Sequence, residues 1–508
     1  MKSEYIPTIG LEIHAELNTQ TKMFCNSKND PDEKRPNVNI CPVCLAHPGT
    51  LPVINKEAVK SVLKIGLAVG GTLADFTEFD RKNYFYPDIP KGFQISQYKY
   101  PLISGGAINN IALERIHLEE DTARSSHTDG EHSLIDFNRA GVPLMELVTK
   151  PVITDAEEAV AFAKELQLLL QYLGASEANM EKGEMRVEAN ISVRKIKDER
   201  EKSDQSRTLR PPVGVRFEVG PTTGRREKAK DVELGTKVEV KNLNSFRIVG
   251  KAIQYEIKRQ IAVLEDGGEV VQETRGFNES TGETFSQRLK ESSHDYRYFP
   301  EPDLPKLYIN EIKEFSKENL KKEIPELPWQ KRERLQKEYG IKLEDADMYV
   351  NDRELGEIFE RRAKKIGGKK DAVKILSNLM TSFEVKLRGD QKEDYKMTDE
   401  NFLEVLKMID ARELSSLAGK EVLSVSSTTG ESPKKIAEEK NLIQKNDKDE
   451  INKIAEEIVA ENKKIVEEIK GGKESGLQFL VGQGMKKTGG AMNPKLLTEA
   501  LKNIISME

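Results

Sequence analysis

Acidic side chains and one histidine alternate with apolar residues near the start of the chain. From Thr8 to Leu17, one face carries Glu12, His14 and Glu16, and the other face is aliphatic. Strict alternation of this kind predicts a half-buried β-strand. Two carboxylates and an imidazole at every second position indicate a binding surface, although the solvated outer face of a strand would show the same pattern.

The polar pattern recurs in three later segments. The residues that repeat it are His117, Glu119, Glu120 and Asp121, then Glu188, Asn190 and Ser192, and finally Lys237, Glu239 and Lys241. If these strands share one sheet, their polar faces crowd carboxylates together, and such groups raise one another's pKa. A divalent cation removes that repulsion, and Mg²⁺ prefers oxygen ligands and bridges to substrate phosphates. The pattern therefore predicts phosphoryl chemistry at an Mg²⁺ site on an open sheet.

Three cysteines, Cys25, Cys41 and Cys44, form a second candidate site. Cys41 and Cys44 have the Cys-x-x-Cys spacing of a knuckle that wraps zinc, and Cys25 could supply a third thiolate. His47, shortly after Cys44, is the nearest candidate for a fourth ligand. Three reduced thiols without a metal are the alternative interpretation.

Composition is typical of a soluble globular protein. The 508 residues are 37% hydrophobic and 33% charged, and this length predicts about two to four domains. No apolar run is long enough to span a bilayer, and no signal peptide is visible. Because so few cysteines also favour a reducing compartment, we expect a cytoplasmic protein without membrane contact. With a formal net charge of −6, a nucleic acid would have to bind a local basic surface.

Apolar spacing predicts an α+β fold. One helix is predicted to begin at Thr154, with a capping box formed with Glu157, and to end at Gly174. A second helix is predicted from about Phe246 and stops near Gly267. We expect the apolar stripes of these helices to lie in the core.

Composition changes along the chain and indicates its organisation. The proline-rich stretch 296–305 predicts a linker, after which the sequence is mostly helical. A second change falls near 394–401, and the glycine-rich stretch 481–490 is predicted as a loop. The polar segment 195–233 is predicted as an insertion to which the sequence assigns no function.

Six segments from the N-terminus to the tail carry a resemblance to a known family. They are Ile9-Gly-Leu-Glu-Ile-His14, Asp80-Arg-Lys-Asn-Tyr-Phe-Tyr-Pro-Asp88, His117-Leu-Glu-Glu-Asp121, Lys241-Asn-Leu-Asn-Ser-Phe246, Asp295-Tyr-Arg-Tyr-Phe-Pro-Glu-Pro302 and Phe479-Leu-Val-Gly-Gln-Gly-Met485. In this order they resemble the B subunits of tRNA-dependent amidotransferases, the GatB family. The resemblance implies a cradle domain with a largely antiparallel sheet (1–295), an all-α helical domain (296–395) and a small α-helical tail domain that binds tRNA (396–508).

The resemblance also implies the reaction. The enzyme would be a ligase that forms carbon–nitrogen bonds with glutamine as amide donor. ATP would phosphorylate the side-chain carboxylate of mischarged Glu-tRNA(Gln) or Asp-tRNA(Asn), and ammonia would then give Gln-tRNA(Gln) or Asn-tRNA(Asn). The ammonia would come from an amidase A subunit in a heterotrimer with a small C subunit. This chain has no Walker-type phosphate loop. It also has neither a Gly-x-Ser-x-Gly elbow nor a serine-rich amidase signature, so it is not predicted to hydrolyse glutamine itself.

Residue roles follow from the matching segments. The resemblance implies Mg²⁺ ligands at Glu12, His14, Glu119, Glu120 and Glu146, and contacts to the ATP phosphates from Lys82, Lys91, Glu188 and Glu239. Catalytic roles are implied for Glu12, His14, Glu120, Lys241 and Asn242. Lys82, Lys91 and Glu120 could also pair as a gate on the ammonia route, with ordinary surface ion pairing as the alternative.

One departure and two alternatives qualify this interpretation. Members of the family with a zinc site show Cys-x-Cys before the Cys-x-x-Cys, whereas Ser27 occupies the second of those positions here. A non-catalytic tRNA-binding scaffold and a metal-dependent phosphate-ester hydrolase are the alternative functions. In the tail, Lys486, Lys487, Lys495 and Lys502 could form the basic surface that contacts tRNA phosphates, or simply a solvated lysine-rich face.

Overall fold

The computed structural model describes residues 4–127, 132–196, 234–289, 296–390, 394–443, 448–470, 475–488, 492 and 494–507. The chain forms two compact units, Met1–Gln330 and Lys331–Glu508. The first unit is rich in strands and the second is helical, which gives an α+β protein. From residue 197 onward, the predicted insertion 195–233 lies outside the described residues. The finer three-domain division stays a prediction.

The first unit is built on one large sheet. In chain order the strands are β1 (Tyr5–Glu16), β2 (Thr72–Leu73), β3 (Phe76–Thr77), β4 (Asp80–Asn83), β5 (Phe93–Ser96), β6 (Ile103–Ser104), β7 (Ala107–Ile108), β8 (Ile111–Glu120), β9 (Arg124–His127), β10 (Ser133–Asp136), β11 (Pro143–Thr149), β12 (Met185–Lys195), β13 (Val238–Leu243), β14 (Glu273–Asn278), β15 (Glu283–Leu289), β16 (Phe299–Pro300) and β17 (Leu307–Tyr308). Among the described residues, ten strands join in the order β15-β14-β13-β12-β1-β11-β8-β6-β2, with β7 paired to β8.

Strand register brings the predicted polar positions together. β1 is antiparallel to both β11 and β12, so that His14 lies opposite Glu146 and Glu12 lies opposite Glu188. β8 pairs with β11 and places His117 opposite Glu146. The pairing of β13 with β14 is parallel, and the other pairings in this sheet are antiparallel. The alternation predicted for the first strand is confirmed.

Three helices cover the apolar face of this sheet: α1 (Lys56–Ala68), α2 (Ala156–Tyr172) and α3 (Phe246–Glu265). A further helix, α4 (Lys317–Glu323), packs on α1. Leu11 on β1 is fully buried in one apolar cluster with Val62, Phe162 and Ile253 from the first three helices. Burial of aliphatic side chains on this scale is the main contribution to the stability of the sheet, and it leaves the opposite, polar face available for binding.

The start of α2 differs by one residue from the prediction. Asp155, rather than Thr154, is the N-cap, and its Oδ1 accepts a hydrogen bond from the Glu158 backbone N–H at 2.7 Å. Glu158 Oε2 in turn accepts from the Thr154 N–H at 3.1 Å. Asp155 therefore makes one bond of a capping box, whereas the Glu158 carboxylate accepts from the residue before the N-cap rather than from the N-cap itself.

Small sheets attach the segment that is predicted as a linker. β16 pairs with β4, which also pairs with β5, and β17 pairs with β3. The Arg81 guanidinium donates to both carboxylate oxygens of Glu301 at 2.7 and 2.8 Å. β9 and β10 form a separate hairpin. The proline-rich stretch 296–305 is therefore packed onto the first unit. Pro300 ends β16, and Pro302 and Pro305 lie between β16 and β17, where a missing N–H interrupts no strand pairing.

The second unit is helical, and the boundary between the units falls within α5. Its helices are α5 (Pro328–Tyr339), α6 (Leu343–Asn351), α7 (Arg353–Lys365), α8 (Lys370–Leu379), α9 (Val385–Asp390), α10 (Asp399–Asp410), α11 (Ser416–Thr429), α12 (Pro433–Glu439), α13 (Lys448–Glu461), α14 (Lys463–Lys470), α15 (Ser475–Lys487) and α16 (Pro494–Met507). The buried Arg362 side chain donates to Glu384 and to Asp399 at 2.6 and 2.8 Å. Among the described residues, no helix is long and apolar enough to cross a membrane.

The loop predicted at 481–490 is wrong for its first part. Helix α15 runs through Lys487, and both Gly482 and Gly484 lie inside it. A Cβ atom at Gly484 would meet Leu497 and Ile458 on neighbouring helices. Gly484 therefore permits close helix packing, whereas the prediction took the glycines as turn signals.

Candidate active site on the polar face of the sheet

Seven side chains from five neighbouring strands meet on the polar face of the sheet. This carboxylate cluster consists of Glu12, His14, His117, Glu119, Glu146, Glu188 and Glu239. At its centre, His14 Nε2 lies 3.4 Å from Glu119 Oε1 and 3.4 Å from Glu146 Oε2. Three strands separated widely in sequence thus contribute to a single group of contacts.

The cluster contains overlapping sets of possible metal ligands. In each of three sets the ligand atoms lie within 4.8 Å of one another: Glu12, His14 and Glu146; His117, Glu119 and Glu146; and Glu12, Glu188 and Glu239. Several carboxylates with one or two imidazoles fit a hard divalent cation such as Mg²⁺, with Mn²⁺ accepting the imidazole more readily. Glu12 and Glu146 each belong to two sets, so cations bound at neighbouring sets would share these ligands.

Electrostatics indicate that the carboxylates of the cluster are crowded. Burial and the charges of Glu146 and Glu188 raise the pKa of Glu12 to about 7. Burial would lower the pKa of His14, but hydrogen bonds to Glu119 and Glu146 raise that pKa well above its ordinary value. Without a metal, protons on Glu12 and His14 therefore offset the crowded carboxylates, and a divalent cation can replace them.

Two lysines face the cluster. Lys241 Nζ lies 2.7 Å from Glu188 Oε2 and 3.9 Å from Glu239 Oε2. Burial would lower the pKa of Lys82, but the Glu119 carboxylate raises it above its usual value, so Lys82 stays charged. These ammonium groups can attract phosphate or a developing acyl charge.

His117 belongs to this cluster, although the sequence argument did not assign it as a site residue. Its Nε2 lies 3.6 Å from Glu146 Oε2, and burial lowers the pKa of His117. Among the described residues, His117 Nδ1 is buried without a hydrogen-bond partner. The alternation that placed Glu119 on the polar face also places His117 there, two positions earlier, and this was the available signal.

Glu120 does not join the carboxylate cluster, which corrects its grouping with the other carboxylates. Its Oε2 lies 2.6 Å from Lys91 Nζ, and its Oε1 accepts from the Ile95 backbone N–H at 2.9 Å. Successive side chains of a strand point to opposite faces, so Glu119 and Glu120 cannot ligate the same cation from β8. Lys91 lies with Glu120 rather than among the other residues predicted to contact phosphates.

Asn242 is also placed apart from the cluster. It is exposed, its φ is +61°, and it lies in a part of β13 where the register with β12 shifts. A β-bulge of this kind turns a side chain away from the regular face, and asparagine tolerates the left-handed conformation. The predicted catalytic role of Asn242 therefore has no contact in the cluster to support it.

A cavity of about 200 Å³ adjoins the Lys91–Glu120 ion pair. Its lining residues include Phe24, Cys25, Cys44, His47, Arg81, Lys91, Phe93, Glu120 and Glu301. The lining combines aromatic side chains with paired charges. The ion pair thus forms part of the cavity wall near the end of β8, while Glu119 on the same strand faces the carboxylate cluster.

The three cysteines converge as predicted, but His47 does not complete their site. The Sγ atoms of Cys25, Cys41 and Cys44 lie within 4.8 Å of one another. A hydrogen bond from Cys25, assisted by Lys22, lowers the pKa of Cys44 to about 4, which favours a thiolate. His47 is exposed and lies outside this set, whereas Ser27 Oγ lies 3.8 Å from Cys44 Sγ. Three thiols fit zinc, with serine where a fourth thiolate would be expected.

The lysines predicted for tRNA contact lie on two helices, α15 and α16. Lys486 is exposed, and Lys487 pairs with Glu457 and Glu461 at 2.9 and 3.0 Å. Lys495 and Lys502 are exposed on α16. Part of this positive charge is therefore offset by helix α13.

Comparison with known proteins gives matches along nearly the whole chain. A model of the GatB/GatE catalytic domain matches residues 7–209 and 222–313, and a model of the GatB domain matches 357–505. The B subunit of an aspartyl/glutamyl-tRNA(Asn/Gln) amidotransferase from Thermoanaerobacter pseudethanolicus is 42% identical over 99% of this chain and 100% of its own length. The protein of the same name from Persephonella marina is 41% identical over 99% of this chain and 100% of its own length. The one from Crocosphaera subtropica is 39% identical over 100% of this chain and 99% of its own length.

Proposed function

Because the chain belongs to the GatB family of amidotransferase subunits, we propose that it acts in tRNA-dependent amidation. Its chemical step is ATP-dependent phosphorylation of the side-chain carboxylate of Glu-tRNA(Gln) or Asp-tRNA(Asn). Ammonia then displaces phosphate and gives Gln-tRNA(Gln) or Asn-tRNA(Asn). The overall activity is that of a glutamine-dependent carbon–nitrogen ligase.

The carboxylate cluster carries this proposal. Its convergent oxygens and the raised pKa of Glu12 are what a site for a divalent cation and phosphates requires. Bound Mg²⁺ would neutralise the ATP phosphates and the charge that develops during transfer. Glu12, His14, Glu119 and Glu146 would hold the cation, with Glu188 and Glu239 extending the ligand set.

The lysines of the cluster position the reacting groups. Lys82 keeps its charge beside Glu119, so it can orient the acyl carboxylate that attacks the terminal phosphate. Lys241 can exchange its contact with Glu188 for a phosphate oxygen, since both are anionic partners of similar size. We assign these two residues to positioning and charge stabilisation, and we assign no proton transfer to them.

Ammonia reaches the site from an amidase subunit, which together with a small third subunit completes the enzyme. The cavity beside Lys91 and Glu120 provides a partly enclosed space that could receive a small neutral molecule. The ion pair closes one side of that space at 2.6 Å. We propose that its opening admits ammonia to the neighbouring carboxylate cluster.

Two further assignments complete the proposal. The helical tail contacts the body of the tRNA, with Lys486, Lys495 and Lys502 meeting phosphates. The cysteine set binds a structural zinc ion through three thiolates, a role that is separate from catalysis because no step of the reaction requires it.

Labelled ATP separates this function from its alternatives. Incubation of the assembled enzyme with γ-labelled ATP, Mg²⁺ and mischarged tRNA, without ammonia, should place label on the acyl group. A scaffold protein would bind tRNA and transfer no label, and a phosphate-ester hydrolase would release labelled phosphate without needing tRNA.

A further inference from the structure

Five tyrosines outside the carboxylate cluster form a continuous series of ring contacts. This tyrosine cluster runs in the order Tyr86, Tyr84, Tyr296, Tyr298 and Tyr98, with ring centroids 6.0, 5.9, 6.0 and 4.1 Å apart. The last two rings are stacked, with an interplanar angle of 9°. Three segments that are distant in sequence therefore build one aromatic surface.

The ends of the tyrosine cluster are open to solvent. Tyr86 is 51% exposed and Tyr98 is 53% exposed. Exposed Lys99 follows Tyr98, and exposed Arg297 lies between Tyr296 and Tyr298. Exposed aromatic faces beside basic side chains are the combination by which proteins hold single-stranded nucleic acid, because every base can stack and every phosphate is negative.

The tyrosine cluster borders the proposed chemical site. Lys82 Nζ lies 5.0 Å from the centroid of the Tyr296 ring and 5.8 Å from that of Tyr84. The same lysine interacts electrostatically with Glu119 of the carboxylate cluster. A ligand whose reactive group reaches Lys82 would therefore place the atoms next to that group against these rings.

We propose that the tyrosine cluster stacks the unpaired nucleobases at the 3′ end of the tRNA substrate. This inference rests on the proposed function. The amino acid is esterified to the ribose of the terminal nucleotide, so that base lies one sugar away from the reacting acyl group. The adenine of ATP is separated from its terminal phosphate by a ribose and two further phosphates. A series of rings with two exposed ends also suits several consecutive bases better than one nucleotide.

A double-mutant cycle between a ring and the unpaired 3′ end tests this contact without using catalysis. The complex assembled with its partner subunits is titrated with uncharged tRNA and with the same tRNA lacking all of its unpaired 3′ nucleotides, at one ionic strength. Tyr98→Ala should weaken binding of the intact tRNA about tenfold, as expected for the loss of one stacked base. It should leave the affinity for the shortened tRNA unchanged. Tyr98→Phe should bind like the unsubstituted complex.

Tyr86→Ala provides the same comparison at the other end of the tyrosine cluster. Tyr308→Ala is the matched control, because Tyr308 is 48% exposed and does not belong to that cluster. The inference is overturned if both tyrosine variants weaken the two tRNAs equally or leave both affinities unchanged. It is also overturned if the KM for ATP rises while tRNA affinity is constant, since the rings would then hold the adenine of ATP. If the unsubstituted enzyme shows the stacking contact but no phosphoryl transfer, the proposed function fails and the stacking site stands.

Discussion

Glu119 and Glu120 are adjacent in sequence but belong to different groups of contacts. Glu119 Oε1 lies 3.4 Å from His14 Nε2 in the carboxylate cluster, whereas Glu120 Oε2 lies 2.6 Å from Lys91 Nζ at the cavity wall. The alternation of β8 thus brings the proposed phosphoryl site and the proposed ammonia gate to consecutive residues. Phosphoryl transfer and ammonia delivery can therefore be disturbed by separate substitutions.

Lys91→Ala should impair use of glutamine more than use of free ammonium. Loss of the ammonium group breaks the pair with Glu120 and opens the cavity, but it leaves the carboxylate cluster in place. We expect glutamine-dependent activity to fall about tenfold or more, corresponding to at least about 1.4 kcal/mol, with ammonium-dependent activity close to normal. Lys251→Ala, a change at an exposed lysine of α3, is the control. Equal losses with both nitrogen sources would instead place Lys91 in the phosphoryl step.

Stability of the metal-free protein should depend on pH through Glu12. Its pKa rises from the ordinary 4.5 to about 7 on folding, so the folded state holds a proton that the unfolded state has released between these values. The stability contributed by this group is therefore complete below pH 4.5 and is lost as pH rises through about 7. Across this range, the urea unfolding midpoint should fall more steeply with rising pH in the metal-free unsubstituted protein than in metal-free Glu12→Gln. Added Mg²⁺ should reverse the loss above pH 7 in the unsubstituted protein only; identical pH profiles for the two proteins would contradict this.

Ser27→Cys should strengthen zinc binding. Ser27 Oγ lies 3.8 Å from Cys44 Sγ, close enough for a thiolate at this position to join the three cysteines after a small adjustment. We expect the variant to retain one zinc ion per chain at chelator concentrations that strip the unsubstituted protein, as measured by elemental analysis. Cys44→Ser should lose zinc both in the unsubstituted protein and in Ser27→Cys. If the unsubstituted protein and Ser27→Cys retain zinc equally at the same chelator concentration, position 27 does not lie where a fourth ligand could bind zinc.

Two glycines of α15 should respond in opposite ways to alanine. A Cβ at Gly484 would lie 2.9 Å from Ile458 Cδ1 and would also meet Leu497, so Gly484→Ala should destabilise the second unit by about 1–3 kcal/mol. No heavy atom lies within 4 Å of the corresponding position at Gly482. Gly482→Ala should therefore stabilise the helix by roughly 0.5–1 kcal/mol. Thermal unfolding of the full chain measures both, and destabilisation by both changes would argue against a continuous helix.

Local periodicity was sufficient to predict the polar face of β1, because alternation depends only on neighbouring residues. Three consecutive carboxylates suggest a single group, and only alternation carried through β8 separates Glu119 from Glu120. The packing partners of Gly484, Ile458 and Leu497, lie in other helices, so nearby sequence does not distinguish this glycine from a turn signal. The ring contacts that join Tyr84, Tyr98 and Tyr298 in the tyrosine cluster depend on the pairing of distant strands, which no local pattern specifies.

The most direct test compares phosphoryl transfer by two neighbouring variants. Glu119→Gln and Glu120→Gln keep the volume of the side chain and remove one charge each, in the complex assembled with its partner subunits. With γ-labelled ATP, Mg²⁺ and mischarged tRNA in the absence of ammonia, Glu119→Gln should reduce labelling of the acyl group by about 100-fold or more, as expected when a charged group that acts on the transition state is removed. Glu120→Gln should label at a rate within about threefold of the unsubstituted enzyme, since a group outside the site contributes little to the chemical step. Normal labelling by Glu119→Gln, or loss of labelling by Glu120→Gln alone, would contradict the assignment of the carboxylate cluster as the phosphoryl-transfer site.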